Sequence, residues 1–144
     1  MVYIDADGCP VTKTAVEICK QLGQEITLVF DTSHSFADEY ANTIMVDKGS
    51  DSADMKIASL ARKGDVIVTQ DYGLAAMCLS KNCICISQDG MIYDNSNIDS
   101  LLFSRYMAKK IRNSGGKLKG PHKRNNEQNK HFQDAFTKIL SEKR

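Results

Sequence analysis

No stretch of the 144 residues approaches the roughly 18 consecutive apolar positions that a membrane-spanning helix needs. The chain also enters Asp5-Ala6-Asp7 with no basic or apolar targeting stretch before it, so a cytoplasmic protein is expected. Cysteines are an odd set of five (Cys9, Cys19, Cys78, Cys83, Cys85), which without an export signal argues against a disulfide framework and for reduced thiols. No second thiol or histidine pair accompanies Cys83-Ile84-Cys85-Ile86 at zinc spacing, and that run has the apolar character of a strand, so its thiols read as small buried hydrophobes. His34, His122 and His131 are scattered, and none stands in a serine or thiol arrangement for nucleophilic catalysis. There is no internal repeat.

What remains suffices for one folding unit, since 42% hydrophobic residues can fill a single core at this length. The overall charge of +1 hides a division. Residues 1–104 hold 7 Lys+Arg against 15 Asp+Glu, a net −8, whereas residues 105–144 hold 12 against 3, a net +9. An acidic body thus carries a basic tail, which serves either as a solvated end or as a grip on a phosphate backbone.

Val2 to Asp5 is a short apolar run that stops in acid before Gly8 and Pro10, as a strand and its following loop would. Val11, Ala15, Ile18, Cys19 and Leu22 recur at helical spacing and end at Gly23. Ile26 to Phe30 reads as a buried strand, and Thr43 to Val46 as another. After Gly49, either Ser50 or Asp51 can cap a helix whose apolar positions run toward Gly64. Val66 to Thr69 and Cys83 to Ile86 are further strands, with a short helix from Leu74 to Leu79 between them. The spacing predicts a helix over 98–111, a mobile glycine-containing loop over 113–129, and a final helix over 131–140 with Phe132 and Phe136 on its apolar stripe. Strands alternating with helices predict an α/β fold: a mostly parallel sheet flanked by helices on both faces. In such sheets functional side chains gather at the carboxyl ends of strands, where Asp5 and Asp71 fall.

The stretch from Asp54 through Ile57, Ala58 and Ala61 to Val66-Ile67-Val68-Thr69-Gln70-Asp71 resembles the centre of PIN domains. There a helix opens with an acid and a buried strand ends in Thr-x-Asp, and Asp5 resembles the strand-end acid that opens the same fold. Over nearly its whole length the chain is also similar to the YaiI/YqxD family of uncharacterised bacterial proteins, placed near PIN domains. The matching features are Tyr3-Ile4-Asp5-Ala6-Asp7-Gly8-Cys9-Pro10-Val11, Gly49-Ser50-Asp51-x-x-Asp54, Val68-Thr69-Gln70-Asp71, and Gly115-Gly116 followed by Gly120-Pro121. The resemblance implies a PIN-like domain over residues 1–112, with a basic glycine-containing loop and C-terminal helix, 113–144, packing on the same domain.

Several carboxylates brought together repel, each close pair costing on the order of a few kcal/mol, and a bound cation offsets that. Hard Mg²⁺ or Mn²⁺ suits carboxylate oxygen and, in pairs, phosphodiester hydrolysis. Asp5, Asp54 and Asp71 are the candidate catalytic and metal-binding residues. Asp7 and Asp51 are further candidate metal ligands, acting directly or through water, while Ser50 and Thr69 are placed to orient ligands or solvent. Each acid taken alone has a structural alternative as a helix cap or turn former. Arg112, Lys117, Lys119, Lys123 and Arg124 are the expected contacts to RNA or single-stranded nucleic acid, although cations at a helix end also suit its dipole.

Two other functions fit parts of the pattern. Asp5-Ala6-Asp7-Gly8 also resembles the opening motif of haloacid-dehalogenase-type phosphatases, which implies Asp5 as nucleophile and Thr32 or Ser33 as a phosphate-binding hydroxyl. Cys9 and Pro10 depart from that motif. A non-catalytic RNA-binding module is the remaining alternative.

Overall fold

The computed structural model describes residues 1–31, 38–48, 52–116 and 124–142. Five short runs, Val2–Asp5 (β1), Ile26–Asp31 (β2), Asn42–Val46 (β3), Val66–Val68 (β4) and Ile84–Ile86 (β5), pair in parallel in the order β3-β2-β1-β4-β5. Parallel strands need crossovers; helices supply those from β1 to β2, β3 to β4 and β4 to β5, and two further helices follow the last strand, five in all among the described residues. These are Thr12–Leu22 (α1), Ser52–Leu60 (α2), Tyr72–Ser80 (α3), Asn95–Asn113 (α4) and Asn126–Glu142 (α5). A sixth strand, Ile92–Tyr93 (β6), joins β5 antiparallel and forms one edge.

Side chains alternate across each strand, so the sheet has two buried faces. On one face Val2, Ile4, Leu28 and Val68 meet α1 and α5; on the other Val29, Ile67 and Cys85 meet Ile57 of α2, Leu74 of α3 and Ile98 of α4. Phe132 and Phe136 of α5 are fully buried, their rings stacked 5.1 Å apart, so the C-terminal helix is part of the first core rather than an appendage. Burying each ring contributes about 1.5–3 kcal/mol. All five cysteines are free, with Cys83 and Cys85 buried.

The α/β architecture, with helices on both faces of a mostly parallel sheet, is the one expected from the alternating pattern and accords with a PIN-like fold. Three boundaries differ by more than two residues, and one strand is additional. α2 stops at Leu60, four residues short of Gly64, because the Arg62 amide turns to the Asp65 carboxylate at 2.8 Å. α4 begins at Asn95, ahead of the apolar pattern, on a capping box in which Asp94 and Asn97 bond each other's amides. The expected loop over 113–129 is cut short, because α5 starts at Asn126. Asn125 accepts from the Gln128 amide at 3.1 Å, and Gln128 accepts from the Asn125 amide at 2.8 Å, a second reciprocal cap. β6 was not anticipated; its outer carbonyl, that of Ile92, accepts from the Asn97 side-chain amide at 2.9 Å. Among the described residues no helix is long and apolar enough to cross a membrane.

Candidate carboxylate site

β1 and β4 lie side by side with Ile4 opposite Val68, so the next residue of each chain, Asp5 and Thr69, emerges at the same end of the sheet. There the Thr69 hydroxyl donates to Asp5 Oδ2 at 3.3 Å and accepts from the Asp71 amide at 3.0 Å. A hydroxyl can do both at once, and it thereby locks the strand-end acid to the turn that carries the next one. Asp71 is the N-cap of α3, its Oδ1 accepting from the Leu74 amide at 3.0 Å. Gly73 permits this tight cap: a Cβ there would stand 3.2 Å from Asp71 Oδ1. The third acid, Asp54, enters from the first turn of α2.

The half-buried Asp54 carboxyl lies close enough to Asp5 and Asp71 for each to act on its charge. Burial and the neighbouring Asp71 and Asp5 carboxyls push Asp54 up to about 8, so it is the protonated member of the trio at neutral pH. Burial also raises Asp5 above the ordinary carboxylate value, against the pull of Asp54 and Thr69. At Asp71 burial acts upward as well. The Asp54 carboxyl, the Leu74 amide and the Arg105 guanidinium outweigh it, and the group lies below the ordinary range. Arg105 Nη1 of α4 is 3.9 Å from Asp71 Oδ1. Three acids from β1, α2 and the start of α3 therefore act on one another, with the Arg105 cation at their edge.

The other candidate residues divide. Asp7 Oδ2 accepts from the Asp31 amide at 3.0 Å, which ties Asp7 to the end of β2. Asp7 and Asp5 both border a cavity of about 50 Å³ with Thr69, Gln70 and Gln88, large enough for ordered water. Ser50, Asp51, Lys117, Lys119 and Lys123, together with Thr32 and Ser33 of the phosphatase alternative, lie outside the described residues. Arg112 is exposed near the end of α4. Arg124 is only 20% exposed and paired with Asp89. It also donates to the Gln88 carbonyl at 2.6 Å and to Asn129 Oδ1 at 2.7 Å. The Gln88 amide in turn donates to Gln70 Oε1 at 2.9 Å, so Arg124 braces the rim of the cavity. Arg105 went unrecognised as a site residue in the sequence, because its partner lies on another helix and only its position in a basic helix end was visible.

Among the described residues no group of three or more His, Cys, Asp or Glu side chains is arranged, as it stands, to hold a metal ion. The donor chemistry nevertheless fits a hard cation. The acids offer carboxylate oxygen, Thr69 already orients Asp5, and the proton on Asp54 occupies the charge-neutralising role that a cation would take over. That exchange requires Asp54 to lose its proton and the carboxylates to turn toward a common point.

Residues 3–142 match the family model described as "Uncharacterized BCR, YaiI/YqxD family". The chain is 42% identical to a UPF0178 protein of Exiguobacterium sibiricum, over 99% of this chain and 97% of that one. It is 39% identical to a UPF0178 protein of Clostridium acetobutylicum, over 96% and 95% of the two chains. A UPF0178 protein of Oceanobacillus iheyensis is 43% identical over 97% and 98%. No solved structure matches.

Proposed function

The chain belongs to the YaiI/YqxD family, and from that premise and its carboxylate trio we propose that it is a divalent-metal-dependent nuclease acting on RNA or single-stranded nucleic acid. The observation that carries the reading is Asp54, whose carboxyl is pressed at once by an acid at the end of β1 and by an acid capping α3. Helix capping accounts for Asp71 alone. It does not account for three elements delivering carboxylates to one place, where their mutual repulsion must be offset by a proton or a cation.

Asp5, Asp54 and Asp71 would hold Mg²⁺ or Mn²⁺, whose chemistry when bound is to activate water and to stabilise charge on a phosphodiester. The residues themselves divide the remaining work. Thr69 fixes the Asp5 carboxylate, the α3 amides fix Asp71, and Arg105 meets a phosphate at the edge of the cluster. Arg105 is 61% exposed, so its guanidinium keeps donors free for an incoming anion.

Purified protein with Mg²⁺ or Mn²⁺ is expected to cleave members of a broad oligonucleotide panel, and Asp71→Asn is expected to lose that cleavage by two orders of magnitude or more, in the manner of other electrostatic catalytic groups. Failure of the wild-type protein to cut any of the panel with either metal would end the reading.

A further inference from the structure

The basic half of α4 is built unlike a helix that merely closes a domain. Ile98, Leu101 and Leu102 pack it onto the core, and Arg105 continues that same side, one turn beyond Leu101, to reach Asp71. Lys109 and Arg112 follow Arg105 by four and seven residues, so the three cations form one stripe that starts at the carboxylate site and runs outward along the helix. All three are exposed. From Ser100 to Gly116 the chain carries no acid, and the acid that Arg105 meets, Asp71, belongs to the carboxylate site. Tyr106, 60% exposed, follows Arg105 by one residue and precedes Lys109 by three, so its ring flanks the stripe, whereas Phe103, 63% exposed, lies on the far side of the helix.

The geometry points to the C-terminal half of α4 as a binding rail for single-stranded nucleic acid: Arg105, Lys109 and Arg112 hold successive phosphates, and Tyr106 stacks an unpaired base, leading the strand to the acids. The assignment rests on the nuclease reading for its direction, and it narrows that reading from nucleic acid in general to unpaired strands. An exposed ring beside the cations favours a single strand because a duplex hides the base faces on which it would stack. A lipid surface or a second copy of the chain is a poorer occupant. Lys110 lies seven residues after Phe103 and four after Tyr106, placing an ammonium in the middle of the aromatic side, where insertion or dry packing would bury it uncompensated. An antiparallel copy would also set like charges against each other.

The test is anisotropy of fluorescein-labelled single-stranded RNA and DNA with the full chain in EDTA, so that no cleavage chemistry is involved. The expected result is salt-sensitive binding of single strands in preference to a hairpin duplex. The double variant Lys109→Gln/Arg112→Gln should lower the magnitude of the log-affinity slope against log salt by about 1.4, the value for two phosphate contacts on a single strand. Tyr106→Ala should weaken binding about fivefold or more, and Tyr106→Phe should restore it, since the ring and not the hydroxyl carries stacking. Circular dichroism confirms that these exposed replacements leave the helices intact. Wild-type affinity and salt slope in both Lys109→Gln/Arg112→Gln and Tyr106→Ala would overturn the rail. So would equal affinity for duplex, capture by anionic phosphatidylserine vesicles without oligonucleotide binding, or a dimer that Phe103→Ala dissociates. Binding without cleavage refutes the nuclease reading and leaves the rail; cleavage with unchanged KM in Lys109→Gln/Arg112→Gln refutes the rail and leaves the nuclease.

Discussion

The hydroxyl of Thr69 donates to the carboxylate of Asp5, 64 residues earlier in the chain, across 3.3 Å. The same oxygen accepts from the Asp71 amide, so one side chain sets the distance between two of the three acids. Thr69→Val keeps the shape but removes both bonds. It is expected to cost about 1–3 kcal/mol in urea unfolding, because the Asp71 amide loses its acceptor. Thr69→Ser should recover most of that. An unchanged Thr69→Val midpoint would mean that the link is incidental.

Asp54 makes stability fall as pH rises. Its folded value is pushed up to about 8 while an ordinary carboxyl stands at 3.8, so between these limits the folded protein holds a proton that the unfolded chain has released. The contribution is fully present below the lower limit and is lost as pH passes the upper one. Asp5, also raised, acts in the same sense, and Asp71, lowered, in the opposite one. Asp54→Asn should therefore narrow the difference between unfolding midpoints measured at acid and at mildly alkaline pH. An identical pH profile for the variant would place the bound proton elsewhere.

Arg124 is predicted to be a brace. Arg124→Ala removes its bonds to Asp89, to the Gln88 carbonyl and to Asn129, and the expected loss is about 2 kcal/mol. Arg124→Lys should rescue only part of this, since an ammonium cannot spread over three partners as the planar guanidinium does. Full stability in Arg124→Ala would return the residue to the pool of free cations.

Gly90 faces the same region from the other side. Its φ is +87°, and a Cβ there would stand 2.6 Å from the His131 carbonyl oxygen of α5. Gly90→Ala should destabilise by more than about 1 kcal/mol, the backbone cost alone, because a main-chain oxygen cannot move aside like a flexible side chain. Thermal unfolding at equal protein concentration measures it, and a wild-type midpoint would contradict the close approach.

Phe136→Ala should cost about 3–5 kcal/mol by calorimetry, as a fully buried ring shared by α5 and the sheet. A loss below 1 kcal/mol would make α5 a peripheral element.

Much of this architecture is legible in the sequence. Parallel strands buried on both faces leave dense apolar runs, and Val2 to Ile4, Ile26 to Phe30 and Val66 to Val68 are such runs. Asp5 and Asp71 were legible as site residues because a strand end is a place, not merely a composition. Asp54 needed the family resemblance as well, since one acid in a helix's first turn is ordinary. β6 escaped because two residues, one of them exposed, carry no periodicity. The starts of α4 and α5 were written in Asp94-x-x-Asn97 and Asn125-x-x-Gln128, in amides rather than apolar spacing, so a hydrophobic pattern places both too late. Arg105 and Arg124 illustrate a deeper limit: local sequence shows their charge, but a partner 34 or 35 residues away decides whether that charge is at the site or spent on bracing.

The short antiparallel strand at the sheet's margin has one more effect. Open sheet borders invite neighbouring chains to zip on through unmet backbone groups, and long flat ones are the worst. Here the border is two residues long, and the Ile92 carbonyl already receives the Asn97 amide. An arriving strand finds too little ladder to climb, so this protein carries its own guard against edgewise aggregation on the flank where its parallel array would otherwise lie open.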